Sequence, residues 1–466
     1  GRLLWQKSFP LLGKFYDNTG HQPGAGEIGS NHACTPERVY VVRGDQVLSL
    51  NASDGEQMAE FRIPSESASQ PVFAGWVAVD DDLLVTTANP QRYASASPQL
   101  LVFDRERGTL LWQRRAAYAF RHNAICVAAG RIFCIDALSR LALDQAKRRG
   151  EDPQKQPAYQ PQLLALDART GRELWSTRQD IFGTFLNYSA EHDVLLQAGS
   201  AARDRAKDEA AAGMVAYRGS DGHVLWQDLA RKHQGPCLLH HDTILTQGEA
   251  YSLLDGQPQF RRDPLTGEQL AWKFTRHYGC NTAIASEHLI TFRSAAAGFY
   301  DLTCDAGTGN LGGFKSGCTS NLIVADGVLS APEYTRTCTC RYQNQTSLAL
   351  VHDPAVEMWT FLDRTWSGSR VLRAGVNFGA PVTLNGSGAA ARTTSYKALW
   401  PGLHSVTAYY SGNGNFAASD NSASPFQQTV MKAEPVAALT PSQPSAVTGE
   451  PFSVEIALSS DPITLG

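Results

Sequence analysis

The chain has 466 residues, of which 41 are basic and 45 acidic, giving a formal net charge of −4 at pH 7. This near balance excludes the strongly basic surface that binding to nucleic acid or to an anionic membrane requires. Hydrophobic residues make up 42% and charged residues 18%, the composition of a globular rather than a disordered protein. No apolar run approaches the roughly 18 residues of a membrane span, and a length beyond about 300 residues indicates more than one domain.

One phrase recurs from the N-terminus onward: an apolar strand, Asp or a substitute, two or three polar residues, Gly, and a strand ending in Trp. It appears as Leu101–Trp112, Leu163–Trp175 and Met214–Trp226, with a looser copy at Asp263–Trp272. In a fifth copy, Val47–Phe61, we interpret Phe61 as the replacement for Trp. The apolar alternation predicts two half-buried strands, and the Asp-x-x-Gly centre supplies a hairpin turn. We expect each Trp to wedge between neighbouring sheets.

The spacing of the phrase predicts the architecture. Successive aromatic landmarks lie 51, 63, 51 and 46 residues apart, and each interval holds the four short strands of one propeller blade. We therefore predict an all-β fold in which residues 1–353 form a β-propeller of about seven blades, with eight as an alternative. The blades are expected at 30–64, 70–116, 121–178, 182–230, 234–276, 278–316 and 317–353. The last range lacks a Trp strand, and residues 1–9 are predicted to supply it and to close the ring.

Three further segments carry their own expectations. The chain opens on Gly1–Trp5, which has the form of the tail of a repeat, so we expect that a leader was removed or that a longer polypeptide precedes it. The insertions at 138–160 and 201–212 are Ala-rich and charged, and each predicts a short exposed helix.

The C-terminal region changes to small polar residues with little charge from about residue 382. We assign 354–381 to a connecting β segment, 382–431 to one module, and 432–466 to a linker and the start of a further β-module. Leu403–Ser419, in which an alternating strand runs into a Tyr-Ser-Gly-Asn turn, resembles the bacterial immunoglobulin-like repeat of large surface and adhesive proteins. The resemblance implies an immunoglobulin-like β-sandwich with shortened opening strands.

The propeller repeat also resembles a known family. The phrase Leu166-Asp-Ala-Arg-Thr-Gly-Arg-Glu-Leu-Trp175 is similar to the hallmark of pyrroloquinoline-quinone-like propellers, over residues 1–353. That superfamily includes quinoprotein alcohol dehydrogenases and non-catalytic envelope proteins that assist outer-membrane protein assembly. The tracts Phe292–Leu302 and Phe314–Cys340 resemble large propeller proteins of bacteria with elaborate envelopes, such as planctomycetes. The resemblance implies an extracytoplasmic location, in the periplasm, at the cell surface or secreted.

Quinone-dependent catalysis is the alternative that the resemblance raises. Quinoprotein dehydrogenases use a ring formed by adjacent cysteines, a Ca²⁺ held by a carboxylate and an Asn, and an Asp base. The sequence has no Cys-Cys dipeptide, and its nearest pair is Cys338-Thr-Cys340. We therefore predict no catalytic residues and expect no cofactor. Pyrroloquinoline quinone and Ca²⁺ would be the cofactors under the alternative.

The nine cysteines are odd in number, so at least one is free or pairs outside the chain. Cys304, Cys318, Cys338 and Cys340 fall within 37 residues and are candidates for two disulfides. A four-thiolate zinc site and free buried thiols are alternatives, although the spacing is not that of a zinc ribbon. Cys126 and Cys134 flank a predicted hairpin, where a disulfide and core packing are equally compatible with the sequence.

The densest histidine cluster is His240-His241-Asp242. Because strand alternation places successive side chains on opposite faces, we expect these two imidazoles not to share a metal, and we predict no metal site.

The mouth of the central channel is the remaining candidate site, because the first strand of each blade lines that channel. These strands are expected to begin near His32, Phe73, His122-Asn123, Asn187, Cys237, Asn281 and Asn321. Nearby loops are expected to add Arg293, Asp301, Tyr334 and Arg336. Such a ring would bind a polar ligand such as a glycan or a peptide; alternatively, its polar groups satisfy one another and channel water.

The sequence thus predicts a non-catalytic exported or cell-surface protein whose propeller is a binding or scaffold platform. Its immunoglobulin-like modules would serve adhesion, or self-association into a fibre or surface layer by strand exchange. The expected partners are proteins, with no nucleic acid and no membrane span. The alternatives are a quinone-dependent oxidoreductase with Ca²⁺, and an outer-membrane protein assembly factor that adds peptide strands to a propeller edge.

Overall fold

The computed structural model is nearly all β. In the first 353 residues it describes 4–9, 31–65, 71–92, 94–138, 140–152, 155–156, 159–182, 185–199, 212–234, 236–262, 268–277, 279, 281–303, 308–311, 313–317, 320–333 and 347–351. Beyond them it describes short strands between residues 402 and 464. Within these residues, no helix is both long and apolar enough to cross a membrane.

The strands form antiparallel sheets in which sequence neighbours pair. The first sheet has the order β1-β2-β3-β4 and consists of β1 (His32–Cys34), β2 (Arg38–Arg43), β3 (Gln46–Asn51) and β4 (Gln57–Arg62). The second runs from β5 to β11 in sequence order: β5 (Phe73–Asp80), β6 (Leu83–Asn89), β7 (Ala96–Asp104), β8 (Leu110–Ala128), β9 (Arg131–Asp136), β10 (Gln162–Asp167) and β11 (Glu173–Thr177). The third has the order β12-β13-β14-β15, with β12 (Phe185–Ser189), β13 (Val194–Ala198), β14 (Ala212–Arg218) and β15 (Val224–Lys232).

The later sheets follow the same order with shorter strands. They are β16 (Leu238–His240), β17 (Thr243–Leu245) and β18 (Ala250–Ser252); β19 (Phe260–Arg262) and β20 (Gln269–Ala271); β21 (Ile284–Ala285), β22 (Leu289–Ser294), β23 (Ala296–Asp301) and β24 (Thr308–Asn310); and β25 (Ile323–Ala325), β26 (Val328–Ala331) and β27 (Leu348–Val351). Six buried apolar clusters each combine residues of two successive blades. This face-to-face stacking of sheets is the packing of a β-propeller. The number of blades stays a prediction.

The recurring sequence phrase folds as a hairpin turn that two backbone hydrogen bonds of its Asp residue close. At residue 167 the carbonyl accepts from the Gly171 amide (2.9 Å), and the amide donates to the Arg172 carbonyl (2.8 Å). The Asp167 carboxylate accepts from the amide and the hydroxyl of Thr170, which hold its pKa below the usual range. Gly171 has a φ of +70°, a conformation that is strained for residues with a Cβ. The Asp-to-Gly spacing is therefore set by the geometry of this turn.

Each docked tryptophan lies over the turn glycine of the next blade. The pairs are Trp5 on Gly55, Trp112 on Gly171, Trp175 on Gly222 and Trp226 on Gly256. In every pair the indole N–H donates to a turn carbonyl at 2.8–2.9 Å. A Cβ on the glycine would lie 2.5–2.8 Å from the ring, so glycine is required for contact as well as for backbone conformation. The prediction that Trp wedges between sheets is confirmed at these positions.

The interpretation of Phe61 as the Trp replacement is wrong. Trp175 stands four residues after the turn glycine Gly171, and Ala59 stands four residues after the turn glycine Gly55. The strand pairing agrees: Ala59 pairs with Ser49 in the first sheet, as Trp175 pairs with Ala165 in the second. Phe61 is instead fully buried between the first two blades, in edge-to-face contact with Phe103. Because alanine cannot reach the next turn, no atom of the described residues lies within 4 Å of a Cβ built on Gly108.

The N-terminal residues dock as the ring-closing prediction requires. Residues 4–9 are not assigned as a strand, yet Trp5 contacts Gly55 and bonds to Ala52 as the outer-strand tryptophan of a preceding blade does. Lys7 adds a bond from its ammonium to the Gly55 carbonyl (3.1 Å). Trp5 thus lies against the face of the first blade that the last blade of a closed ring would contact. That the propeller ring is closed stays a prediction.

Strand β8 continues from one blade into the next and kinks where it passes between them. Pairing with β7 and with β9 changes register between residues 115 and 125. At the kink, the buried Asp136 carboxylate accepts three successive backbone amides, those of Ala117 (2.5 Å), Tyr118 (2.9 Å) and Ala119 (3.0 Å). One carboxylate therefore satisfies the donors that the interrupted ladder leaves unpaired.

We expect Asp136→Ala to lower the free energy of unfolding by about 3 kcal/mol, because three partly buried amides would lose their charged acceptor. Denaturant unfolding of the full chain measures this. Asp45→Ala is the control: its side chain is 58% exposed, and its loss should cost about 0.5 kcal/mol or less. Equal effects of the two substitutions would contradict the account of the kink.

The remaining regions are described in part. The insertion at 138–160 contains the predicted short helix, α1 (Arg140–Arg148), whereas residues 201–211 lie outside the described part of the chain. The C-terminal strands are β28 (Gly402–Val406), β29 (Tyr409–Tyr410), β30 (Ser419–Asp420), β31 (Phe426–Val430), β32 (Val436–Pro441), β33 (Val454–Ser460) and β34 (Ile463–Thr464). β28 pairs with β31, β29 with β30, and β33 with both β32 and β34. The immunoglobulin-like modules stay a prediction, and 354–381 lies outside the described residues.

Candidate functional site

Asparagines at the first strands of three blades bond to the backbone of a neighbouring blade. Asn187 in β12 donates to the Cys237 carbonyl (3.4 Å), and Asn281, just before β21, donates to the Ser320 carbonyl (3.2 Å). Asn321, just before β25, accepts from the Thr282 amide (3.1 Å). These side chains, predicted to line the channel mouth, connect adjacent blades.

Asn281 uses its full hydrogen-bonding capacity within the protein. Its Nδ2 donates to the Ser316 hydroxyl and the Ser320 carbonyl (3.2 Å each). Its Oδ1 accepts from the Arg293 amide and from the Arg276 guanidinium (3.0 Å each). A side-chain amide has two donors and two acceptor lone pairs. At 5% exposure, Asn281 has no capacity left for a ligand.

The two predicted histidines lie in different environments. His122 is 1% exposed and its Nε2 lies 2.8 Å from the Ser97 hydroxyl and 3.1 Å from that of Thr87. This corrects the expectation that His122 faces an open channel, since its ring is enclosed within its own sheet. His32 in β1 is exposed, its Nδ1 lies 3.0 Å from Asn31 Oδ1, and desolvation by surrounding protein lowers its pKa.

Arg293, one of the two positively charged candidates, is also not on an open loop. Arg293 lies in β22, is fully buried, and offers its carbonyl to the Arg276 guanidinium (2.9 Å), which corrects its placement on a loop. Asn123 is half-buried in β8, and Asp301 is half-buried at the end of β23. Tyr334 and Arg336 lie outside the described residues.

The described cysteines are free thiols. A disulfide between Cys126 and Cys134 is not formed, because Cys126 pairs with Phe133 and Cys134 with Ile125, on opposite faces of the sheet. Each packs in a different apolar cluster, and burial raises the pKa of Cys126 to about 11. Burial likewise raises the pKa of Cys237 to about 12. Cys304, Cys318, Cys338 and Cys340 lie outside the described residues, so their disulfides stay a prediction.

A buried ion pair was not anticipated from the sequence. Lys315 Nζ lies 3.0 Å from Glu333 Oε2, and the two side chains are 2% and 1% exposed. The Gly317 amide donates to the Pro332 carbonyl (2.8 Å) and the Ser347 hydroxyl accepts from the Glu333 amide (3.0 Å), so hydrogen bonds hold the segments on which the two charges lie. Both residues belong to the tract Phe314–Cys340 that the resemblance singled out.

The expectation that His240 and His241 point to opposite faces is wrong. β16 ends at His240, and His241 begins a two-residue turn with a φ of +50°. The left-handed backbone breaks the strand alternation and brings the two rings to 4.6 Å centroid separation. Asp81, Ala129 and Asp326 have φ values of 48–51° at the same position of other blades. The expectation failed because the sequence analysis did not recognise residues 241–242 as a two-residue turn.

The outer strand β15 offers an unpaired sheet edge. It has nine residues, against six in β4 and five in β11, and among the described strands it pairs with β14 alone. Leu225 and Leu229 are 37% and 45% exposed. Leu225 is the extra residue of a bulge before Trp226. β15 thus combines an edge that no other described strand covers with exposed apolar side chains, the two features that strand addition uses.

Comparison with known families gives the fold an independent basis. A family model described as outer membrane protein assembly factor BamB matches residues 1–117, 70–236 and 156–273, together more than half of the chain. The chain belongs to this family. No curated protein matches it.

Solved structures similar to this member of the BamB family are distant in sequence. BamB from Moraxella catarrhalis is 12% identical, with 65% of this chain and 81% of that chain covered and a TM-score of 0.38. Quinohemoprotein alcohol dehydrogenase ADHIIG from Pseudomonas putida HK5 is 11% identical, with coverages of 67% and 53% and a TM-score of 0.34. The C-terminal WD40 domain of Sif2 is 10% identical, with coverages of 65% and 73% and a TM-score of 0.36.

Asn281 of this family member does not fit the ligand role of a quinone site. A quinone–Ca²⁺ centre needs an asparagine and carboxylates free to ligate at the channel mouth. Here Asn281 is saturated, while Asn187 and Asn321 bond to backbone groups of neighbouring blades. The sequence also lacks the adjacent cysteines of those enzymes.

Proposed function

We propose that the chain is a non-catalytic, exported protein-binding platform whose propeller binds extended polypeptide segments by strand addition. The exposed edge of β15 carries this proposal. A strand added there would pair with those backbone groups of residues 224–232 that face away from β14, the Ala230 amide excepted because it donates to Asp228 Oδ1 (3.1 Å), and would cover Leu225 and Leu229. The description of the family, an outer membrane protein assembly factor, supports an envelope location and a partner of this kind.

The contrast with β4 supports β15 as the binding edge. β4 carries Glu60 and Arg62, which form an exposed ion pair at 2.9 Å. Charged side chains on an outer strand oppose pairing with another chain. On β15, by contrast, Arg231 is held against Asp228 (3.0 Å) and against the Gly256 carbonyl (2.7 Å). Leu225 and Leu229 are therefore accessible on either side of the exposed Gln227, and the exposed charge of Lys232 lies at the end of the strand.

The C-terminal β-modules would add adhesion or self-association to this activity. Their strands between 402 and 464 pair in short antiparallel sets, and such sets are able to exchange strands between copies. A fibre or a surface layer would be the product. Quinone-dependent oxidation has less support, because the channel-mouth asparagines are engaged between blades.

Peptide binding by the full chain tests this function. The probe is a fluorescent peptide of about ten residues that alternates apolar and polar side chains, as strands of outer-membrane barrels do. We expect Leu229→Lys to weaken its binding by about tenfold, because an apolar contact is replaced by a charge. Fluorescence anisotropy measures the affinity.

Two matched controls sharpen the experiment. Met58→Lys places the same charge at an exposed residue of β4 and should change the affinity by less than about twofold. The same peptide with a central proline lacks an amide that strand addition needs and should not bind. Binding that is insensitive to both Leu229→Lys and the proline would overturn the proposal.

A further inference from the structure

Three successive blades bring polar side chains together at equivalent turns. Glu191 lies in the turn between β12 and β13, His241 in the turn between β16 and β17, and Glu287 in the turn between β21 and β22. His240 ends β16 immediately before its turn. Residues far apart in sequence therefore meet because the repeat places the same turn on the same side of each blade.

The cluster places three side chains of metal-binding types close enough together to reach one ion. One nitrogen of each imidazole and one carboxylate oxygen of Glu287 all lie within 4.8 Å of one another. His241 Nε2 is 3.0 Å from Glu287 Oε1, and His241 Nδ1 is 3.3 Å from Glu191 Oε2. His240 Nε2 lies 2.8 Å from the Glu287 backbone carbonyl. A ring that donates one N–H to a carbonyl keeps a lone pair on its other nitrogen.

We propose that His240, His241 and Glu287 bind a divalent transition-metal ion of the zinc class, with Glu191 orienting His241. Two imidazoles and a carboxylate are the ligand types that favour Zn²⁺ or its neighbours over Ca²⁺ and Mg²⁺. The carboxylate of Glu191 hydrogen-bonds to Nδ1 of His241 and so orients this ring, as the partner carboxylate of a metal-binding histidine does. Three protein ligands leave a fourth position of a tetrahedral ion for water.

The local charges favour a cation at this position. The carboxylates of Glu287 and Glu191 lie 3.0 Å and 3.3 Å from the two ring nitrogens of His241, so two negative charges face the position of the ion. The ion would join the turns of two successive blades and stabilise the folded propeller.

Titration of the full chain with Co²⁺ tests the site. We expect one equivalent whose visible absorption is that of a tetrahedral nitrogen and oxygen complex, and which Zn²⁺ displaces. His241→Ala and Glu287→Gln should abolish this equivalent. Glu191→Gln should weaken it by about 10- to 100-fold, the effect of losing the partner of a ligating histidine.

His223→Ala is the matched control, because it removes an exposed histidine from a turn of the blade that holds Glu191. It should leave the affinity unchanged. Equal binding by wild type and His241→Ala, or no Co²⁺ binding by wild type at neutral pH, would overturn the proposal. A thiolate charge-transfer band in place of the expected absorption would also overturn it, because the ion would then be bound by cysteines.

Discussion

Gly222→Ala is expected to lower the free energy of unfolding by about 4–6 kcal/mol, whereas Gly108→Ala should cost about 1–2 kcal/mol. Both glycines occupy the same turn position, with φ values of +76° and +71°. A Cβ at residue 222 would lie 2.6 Å from the Trp175 ring, whereas a Cβ at residue 108 would have no neighbour within 4 Å in the part of the chain that the structure describes. The common cost is backbone strain, and the extra cost at 222 is displacement of the tryptophan. Denaturant unfolding measures both.

A double-mutant cycle separates the two costs. On a Trp175→Ala background the ring is already absent, so adding Gly222→Ala should cost only the strain of about 1–2 kcal/mol. Trp175→Ala by itself should cost about 3–5 kcal/mol. If Gly222→Ala costs the same with and without Trp175, the docking of the indole on the turn does not stabilise the propeller.

Lys315→Met is expected to lower the free energy of unfolding by about 3–5 kcal/mol, because the buried Glu333 carboxylate loses the ammonium that lies 3.0 Å from it. The double variant Lys315→Met with Glu333→Met should recover most of this loss, since two apolar side chains then replace two buried charges. Thermal or denaturant unfolding of the full chain provides the comparison.

An exposed ion pair serves as the control. Arg62 and Glu60 lie 2.9 Å apart, with side chains 61% and 39% exposed, so Arg62→Met should cost about 1 kcal/mol or less. A loss at Lys315 no larger than at Arg62 would contradict the role assigned to burial. A double variant that is less stable than either single variant would also contradict the role assigned to burial.

The sequence predicted the repeat well because turn chemistry is local. The spacing from Asp167 to Gly171 is dictated by hydrogen bonds between residues at most five positions apart. The large aromatic residue four positions later has a docking site only if the turn of the next blade contains a glycine. Phe61 was misread because aromatic character was matched without counting from Gly55. The count places Ala59 at the docking position, and Phe61 belongs to the core between two blades.

The site was predicted less well because it depends on contacts between blades. Asn187 and Asn281 were placed at the inner strands, but no sequence pattern indicates that a backbone carbonyl of the next blade takes up the amide. His122 was expected to face the channel, and two hydroxyls from its own sheet enclose it. Likewise, the approach of Glu287 to His241 follows from the stacking of successive blades, not from the local sequence.

Hydrogen–deuterium exchange of the full chain, with and without the alternating peptide, tests strand addition most directly. If the propeller binds partners at the outer edge, the amides of residues 224–232 should gain protection on binding, and β4 should not. Protection confined to the inner strands, such as β12 and β21, would place the ligand at the channel. That result would contradict the account and return the channel mouth to consideration as the functional site.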